Sequence, residues 1–154
     1  MTDEEHGMDT TKGRILIVDD DPHAVEILTR MLTREGYACV SATSGPAALT
    51  VVRGNPLDVI LLDVMMPGMD GLEVCEQLRQ DGALRQIPVI LLTAKDDLET
   101  RARGMALGVS EYLTKPINKR ELFMRVAAQL HSRELSRRLD ETEAALGTEP
   151  AKRP

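Results

Sequence analysis

Short, unbroken apolar runs recur along this chain and constrain its fold more than any other feature of the sequence. The clearest lie at residues 14–18, 58–62 and 88–92. Runs of this length bounded by polar or turn-forming residues are typical of buried strands. Between them, apolar residues return at intervals of three and four, which indicates helices with one apolar face. Buried strands that alternate with such helices predict a parallel sheet covered on both faces.

The pattern predicts five strand-then-helix units. The predicted strands cover residues 14–18, 38–42, 58–62, 88–92 and 111–113. The predicted helices cover residues 23–34, 46–52, 72–80 and 98–107, and a fifth opens near residue 118. Gly36 and Gly108 are well placed to end the first and fourth helices. Because crossovers between parallel strands are right-handed, these units predict a doubly wound α/β domain with a five-stranded parallel sheet.

Polar side chains follow four of the five predicted strands. Asp19 and Asp20 follow the first strand, Asp63 the third, Thr93 the fourth and Lys115 the fifth. In a doubly wound sheet, ligands bind beyond the carboxyl ends of the strands. Clustered carboxylates repel one another and lose hydration, so they need protons or a cation. Oxygen ligands of this kind suit Mg²⁺, while the ammonium group of Lys115 can pair with Asp63 or with a phosphoryl oxygen.

Four sequence segments resemble those of two-component receiver domains, the CheY-like superfamily. They are ILIVDDDP, DVILLDVMMPGMDG, VILLTA and YLTKP, at residues 15–22, 58–71, 89–94 and 112–116. The resemblance covers about residues 14–131, and the segments are specific as a set, in order and spacing. It implies the flavodoxin-like (βα)5 receiver fold and a response regulator that switches by phosphorylation.

The resemblance implies a role for each acidic residue of the cluster. Asp63 would accept a phosphoryl group from a sensor histidine kinase or a phosphotransfer protein. Asp63 and Asp20 would bind Mg²⁺ directly, Asp19 would act mainly through water, and the backbone carbonyl of Met65 would be a further ligand. The expected chemistry is limited to phosphorylation and dephosphorylation of the domain itself, so we do not expect an enzyme.

The resemblance also implies a switch. Thr93 and Lys115 would contact the phosphoryl group, and the Lys115–Pro116 bond would be cis. Thr93 would move toward the phosphoryl group and Tyr112 would rotate into the vacated space. The face formed by the fourth helix, fifth strand and fifth helix would then change its preference for an unknown downstream protein or for a second copy. Gly104 lowers the stability of the fourth helix by about 1 kcal/mol relative to Ala, which suits either a segment that rearranges or a tolerated glycine.

Three other functions fit the sequence less well than a receiver domain does. A nucleotide-binding enzyme is disfavoured because no glycine-rich phosphate loop follows the first strand. An aspartate-nucleophile phosphatase normally carries its nucleophile after the first strand in a DxD pattern, whereas Asp63 follows the third. A phosphorylation-independent scaffold with the same fold remains, although every acceptor-site residue is present.

Composition limits the partners. The formal net charge of −6 argues against direct DNA binding, which rewards clustered Lys and Arg. No stretch reaches the roughly 18 to 20 apolar residues that span a bilayer, so we expect a cytoplasmic protein without a membrane partner. Cys39 and Cys75 form no CxxC pair and are expected to be packed thiols.

The two ends of the chain lie outside the resemblance. We expect a disordered segment over residues 1–13 and a flexible tail over residues 147–154. Residues 132–146 are strongly helix-forming and predict an extension of the fifth helix that stops at Gly147. Its apolar positions have a coiled-coil spacing, at Leu135, Leu139 and Leu146 with Thr142 between them. The alternatives are a solvated extension, or a linker if this chain is the receiver part of a longer regulator.

Overall fold

The computed structural model describes residues 11–94 and 98–146, in which five strands and five helices alternate. The strands are β1 Arg14–Val18, β2 Ala38–Ala42, β3 Val59–Asp63, β4 Val89–Thr93 and β5 Glu111–Thr114. The helices are α1 Pro22–Arg34, α2 Gly45–Gly54, α3 Gly71–Arg79, α4 Leu98–Ala106 and α5 Lys119–Leu146. Gly36 and Gly108 have positive φ angles of 104° and 79°, as expected of glycines that follow helix ends.

The strands form one sheet in the order β2-β1-β3-β4-β5, with every neighbouring pair parallel. The predicted doubly wound α/β fold is confirmed. The strand order reverses between β1 and β3, which lie side by side with Val18 opposite Leu62. The carboxyl ends of these two strands therefore meet at the switch point, where doubly wound sheets bind ligands.

Two apolar clusters cover the two faces of the sheet because side chains alternate along each strand. In β1, Leu16 and Val18 belong to the cluster beneath α2 and α3, whereas Ile15 and Ile17 belong to the cluster beneath α1 and α5. The central strands β3 and β4 are buried along their whole length. Both cysteines are free, with Cys75 buried and Cys39 half-buried, which confirms the expectation of packed thiols.

Gly104 allows α4 to lie close to the sheet. It is buried, and a Cβ atom at this position would lie 2.9 Å from the Cδ1 atom of Leu91 on β4. Contacts of that length require a neighbour to shift. Close packing of α4 on β4 therefore explains the glycine. The two interpretations based on helix propensity, a segment that rearranges and a tolerated glycine, did not include this reason.

The fifth helix runs without interruption from Lys119 to Leu146, so the predicted extension continues α5 past His131. Beyond that point, Arg133 and Arg137 lie within 4.0 and 3.8 Å of a carboxylate oxygen of Asp58, just before β3. The predicted stop at Gly147 and the segments 1–10 and 147–154 lie outside the described residues. Among the helices of residues 11–94 and 98–146, none is long and apolar enough to cross a bilayer.

Candidate functional site

The neighbouring strands β1 and β3 bring two carboxylates together at the switch point of the sheet. Asp63 is the last residue of β3, and Asp19 follows the last residue of β1. Both are almost fully buried, with exposed fractions of 3% and 1%. Because β1 and β3 are adjacent, parallel and in register, residues that end them must lie at the same edge of the sheet.

A third carboxylate and one ammonium group complete this acidic cluster. Oxygen atoms of Asp19, Asp20 and Asp63 lie within 4.8 Å of one another. The Nζ atom of Lys115 lies 2.9 Å from a carboxylate oxygen of Asp19 and 3.4 Å from one of Asp63. Among the residues that the structure describes, three carboxylates face one ammonium group, which leaves two negative charges for a divalent cation to offset. The donor set consists of hard oxygen atoms and fits Mg²⁺.

The surroundings of Asp63 disfavour its ionised form in the metal-free protein. The pKa of Asp63 is raised to about 6, mainly by burial and also by the negative charge of Asp19. The ammonium group of Lys115 and a hydrogen bond from the backbone N–H of Met65 act in the opposite direction. Burial would lower the pKa of Lys115, but its hydrogen bonds and charge interactions with Asp19 and Asp63 outweigh burial and raise it. Lys115 therefore stays positively charged beside the carboxylates of Asp19 and Asp63.

The segment after β3 approaches the backbone of Asp63 very closely. Gly71, the first residue of α3, donates its N–H to the carbonyl of Val64 at 3.0 Å. A Cβ atom on Gly71 would lie 2.4 Å from the carbonyl oxygen of Asp63, which only glycine avoids. Asp70 and Glu73 form a capping box that starts the helix at this point. This close approach could not be predicted from the sequence, because the distance between Gly71 and β3 cannot be read from residue spacing.

Asp21 acts as a helix cap. Its side chain accepts a hydrogen bond from the backbone N–H of His23 at 3.0 Å, and its own N–H donates to Asp19 at 3.0 Å. Sequence analysis did not identify this role, although Asp followed by Pro22 at the first helical position is a recognised signal for a helix start.

The predicted switch residues lie on β4 and β5. Thr93 is the last residue of β4 and is fully buried, and its carbonyl accepts the N–H of Lys115 at 2.7 Å. Tyr112 on β5 is partly buried against the apolar cluster beneath α2 and α3. The guanidinium carbon of Arg101 on α4 lies 4.7 Å from the centre of its ring. The Lys115–Pro116 bond is cis, as the resemblance implied.

The fold and the site together define a class of protein: a doubly wound domain with buried carboxylates and a lysine at the switch point of its sheet. Residues 15–127 match the response regulator receiver domain family. The chain belongs to this family, whose members are phosphoacceptor domains of two-component signalling.

Individual relatives agree with this assignment. Over 127 residues the chain is 43% identical to the DNA-binding response regulator MtrA of Mycolicibacterium smegmatis, covering 82% of this chain and 54% of MtrA. Over 114 residues it is 48% identical to the response regulator PleD of Caulobacter vibrioides, covering 74% of this chain and 25% of PleD. The structure of the chemotaxis protein CheY4 of Vibrio cholerae is similar with a TM-score of 0.73 at 30% identity, covering 77% of this chain and 98% of CheY4. The chain therefore spans about half the length of MtrA and a quarter of PleD.

Proposed function

We propose that Asp63 accepts a phosphoryl group from a sensor histidine kinase or a phosphotransfer protein in a Mg²⁺-dependent reaction. The observation that carries this proposal is the placement of Lys115 between two buried carboxylates, with a third acid within 4.8 Å. A carboxylate oxygen of Asp63 attacks the phosphorus atom, the bond from phosphorus to the histidine nitrogen breaks, and its electron pair stays on the imidazole. Lys115 offsets charge on the phosphoryl oxygens as this happens.

The proposed metal ligands are Asp20 and Asp63 directly, Asp19 mainly through water, and the backbone carbonyl of Met65. Asp20 is exposed, which suits a ligand to an ion that keeps several waters. When bound, Mg²⁺ offsets negative charge on the carboxylates and on the phosphoryl oxygens. Asp19 also holds Lys115 in place, because their 2.9 Å contact is shorter than the 3.4 Å contact of Lys115 with Asp63.

We propose that phosphorylation changes the face formed by α4, β5 and α5. The phosphoryl group adds negative charge and acceptor oxygens beside Thr93, whose hydroxyl can donate to one of them. Tyr112 would then turn inward toward the space that Thr93 leaves. That rotation removes the ring from Arg101, whose guanidinium carbon now lies 4.7 Å from the ring centre. Phosphorylation of one residue would thereby alter side-chain contacts on both α4 and β5.

The output of the switch is a downstream protein or a second copy of this chain. MtrA is a DNA-binding response regulator that is longer than this chain. We propose that the receiver residues described here do not contact DNA themselves and that any such output acts through a partner or a further domain. The proposed chemistry remains limited to phosphorylation and dephosphorylation of Asp63.

Acetyl phosphate provides a direct test of this function. We expect Mg²⁺-dependent addition of one phosphoryl group to the wild-type chain, located at Asp63 by mass spectrometry. Asp63→Asn should abolish labelling because an amide is a poor nucleophile. Asp58→Asn, at the opposite end of β3, is the matched control and should be labelled normally. A wild-type chain that takes up no label from acetyl phosphate or from a phosphorylated kinase would favour the phosphorylation-independent scaffold.

A further inference from the structure

The part of α5 beyond His131 exposes a stripe of small and apolar side chains. Leu135 and Leu139 are the largest of them, with exposed fractions of 48% and 66%. Ser132 and Thr142 are also exposed and continue the alternating intervals of three and four residues. This spacing keeps one face of a helix in line with a neighbouring helix in a coiled coil. We call these four residues the leucine stripe.

The opposite side of the same helix holds it against the domain. Arg133 and Arg137 lie within 4.0 and 3.8 Å of Asp58, and Arg133 donates to the carbonyl of Gln86 at 3.4 Å. Each residue turns an α-helix by about 100°, so Leu135 and Leu139 lie about 200° beyond these two arginines. Leu135 and Leu139 therefore point away from the domain and are exposed in the described part of the chain.

Charged residues beside the stripe favour a particular partner and orientation. With Leu135 and Leu139 at the d and a positions of a heptad, Arg138 occupies a g position and Glu143 the following e position. In a parallel pair, the g residue of one helix faces the following e residue of the other. Each copy would thus place its Arg138 opposite Glu143 of the other copy, so a symmetric pair of helices would contain two such ion pairs. An antiparallel pair would instead bring Arg138 toward its own counterpart.

We infer that a second copy of this chain packs on the leucine stripe and forms a parallel, two-stranded coil with it. This inference deepens the homodimer of the proposed function by naming its surface, and only its dependence on phosphorylation rests on that function. The two domains would lie on the outer sides of the coil, because Arg133 and Arg137 hold each domain on the face opposite the stripe. Arg138 already contacts Glu134 of its own helix at 3.1 Å, and its five N–H donors allow a second carboxylate as well.

Charge reversal tests the orientation in the full chain. We expect sedimentation equilibrium to show a dimer for the wild type, with or without the phosphoryl mimic beryllofluoride. Arg138→Glu and Glu143→Arg alone should each weaken dimerisation about five-fold or more, since each replaces two attractive pairs by two repulsive ones. The double variant R138E/E143R should restore wild-type affinity. Circular dichroism checks that all variants keep the helix, and a double variant weaker than either single one would overturn the inference.

Disulfide cross-linking tests the register of the two helices in the coil. The experiment uses a Cys39→Ser background, in which the one native cysteine left is the buried Cys75. Thr142→Cys places a thiol on the stripe, where it should meet its copy and form a covalent dimer under mild oxidation. Ala144→Cys, on the outer face of the same turn, is the matched control and should cross-link poorly. Preferential cross-linking of the control, or a wild type that stays monomeric at 100 µM in both states, would overturn the inference and leave the stripe to another partner. Acetyl phosphate labelling of the same samples reports separately on Asp63, so a failure of the coil and a failure of the proposed function are distinguishable.

Discussion

The carbonyl oxygen of Asp63 and the Cα atom of Gly71 are so close that a Cβ atom on Gly71 would lie 2.4 Å from that oxygen. The first residue of α3 therefore packs closely against the backbone of Asp63, the proposed acceptor residue. Gly71 also donates its N–H to Val64, the residue after Asp63. The position of Asp63 at the end of β3 thus depends on a residue eight positions further along the chain.

We expect Gly71→Ala to move this backbone, to cost about 1 to 3 kcal/mol of unfolding free energy and to slow labelling of Asp63. Urea unfolding and acetyl phosphate labelling measure the two effects. Gly54→Ala is the matched control, because a Cβ atom at Gly54 would meet nothing within 4 Å. Equal behaviour of the two variants would mean that the close approach at Gly71 does not position Asp63.

Two adjacent acids should respond differently to removal of their carboxylates. Asp20→Ala should weaken Mg²⁺ binding at least ten-fold, because it removes a proposed charged ligand from an ion with few protein ligands. Asp21→Ala should leave Mg²⁺ binding within about two-fold but should cost about 1 kcal/mol of stability, since Asp21 caps α1. Isothermal titration with Mg²⁺ and thermal unfolding distinguish the two roles. An unchanged Mg²⁺ affinity in Asp20→Ala would rule out its assignment as a ligand.

The raised pKa of Asp63 predicts a pH-dependent stability in the absence of metal. The pKa is about 6 in the folded protein and 3.8 as the ordinary value, so between these values the folded state holds a proton that the unfolded chain releases. Stability from this group is greatest below about pH 4 and is lost as the pH rises toward 6. We expect Asp63→Asn to be more stable than the wild type at pH 7 without Mg²⁺, with a smaller difference at pH 4.5. Denaturant unfolding of both proteins at the two pH values checks this, and a constant difference would show that Asp63 does not titrate in that range.

Phosphorylation should strengthen the homodimer, because the helix α5 forms part of the proposed switch face and also carries the leucine stripe. We expect beryllofluoride on Asp63 to raise the dimer fraction, as measured by light scattering. Deletion of residues 133–154 should weaken the dimer in both states while leaving the extent of acetyl phosphate labelling unchanged. A dimer fraction that is the same with and without the mimic would separate dimerisation from the switch.

The strands were predictable because buried parallel strands consist of short apolar runs. Their ends were less so: residues 58–62 and 88–92 were predicted, whereas the strands are Val59–Asp63 and Val89–Thr93. An apolar run ends at the first polar residue, but a strand ends where its pairing ends. Asp63 and Thr93 are buried members of the sheet despite their polarity.

The convergence of the acidic cluster followed from topology, because residues after parallel strands share one edge of the sheet. The contact partners of the individual side chains could not be predicted from topology. Lys115 was expected to pair with Asp63 or a phosphoryl oxygen, yet its shorter contact is with Asp19. The contact of Asp58 with Arg133 likewise joins residues far apart in sequence. Such pairs depend on side-chain directions that hydrophobic periodicity does not encode.

The strand β3 has a carboxylate at each end of its buried run. Asp63 lies at the edge of the sheet that holds the acidic cluster. Asp58 lies at the other edge, where it accepts the backbone N–H of Arg14 at 2.9 Å and pairs with Arg133 and Arg137 of the α5 extension. Five residue steps of an extended strand separate them by about 17 Å. At that separation, substitutions at the two ends should change the unfolding free energy additively. The contacts that hold the extension at Asp58 can therefore change during evolution without changing what the Asp63 end of the strand contributes to stability.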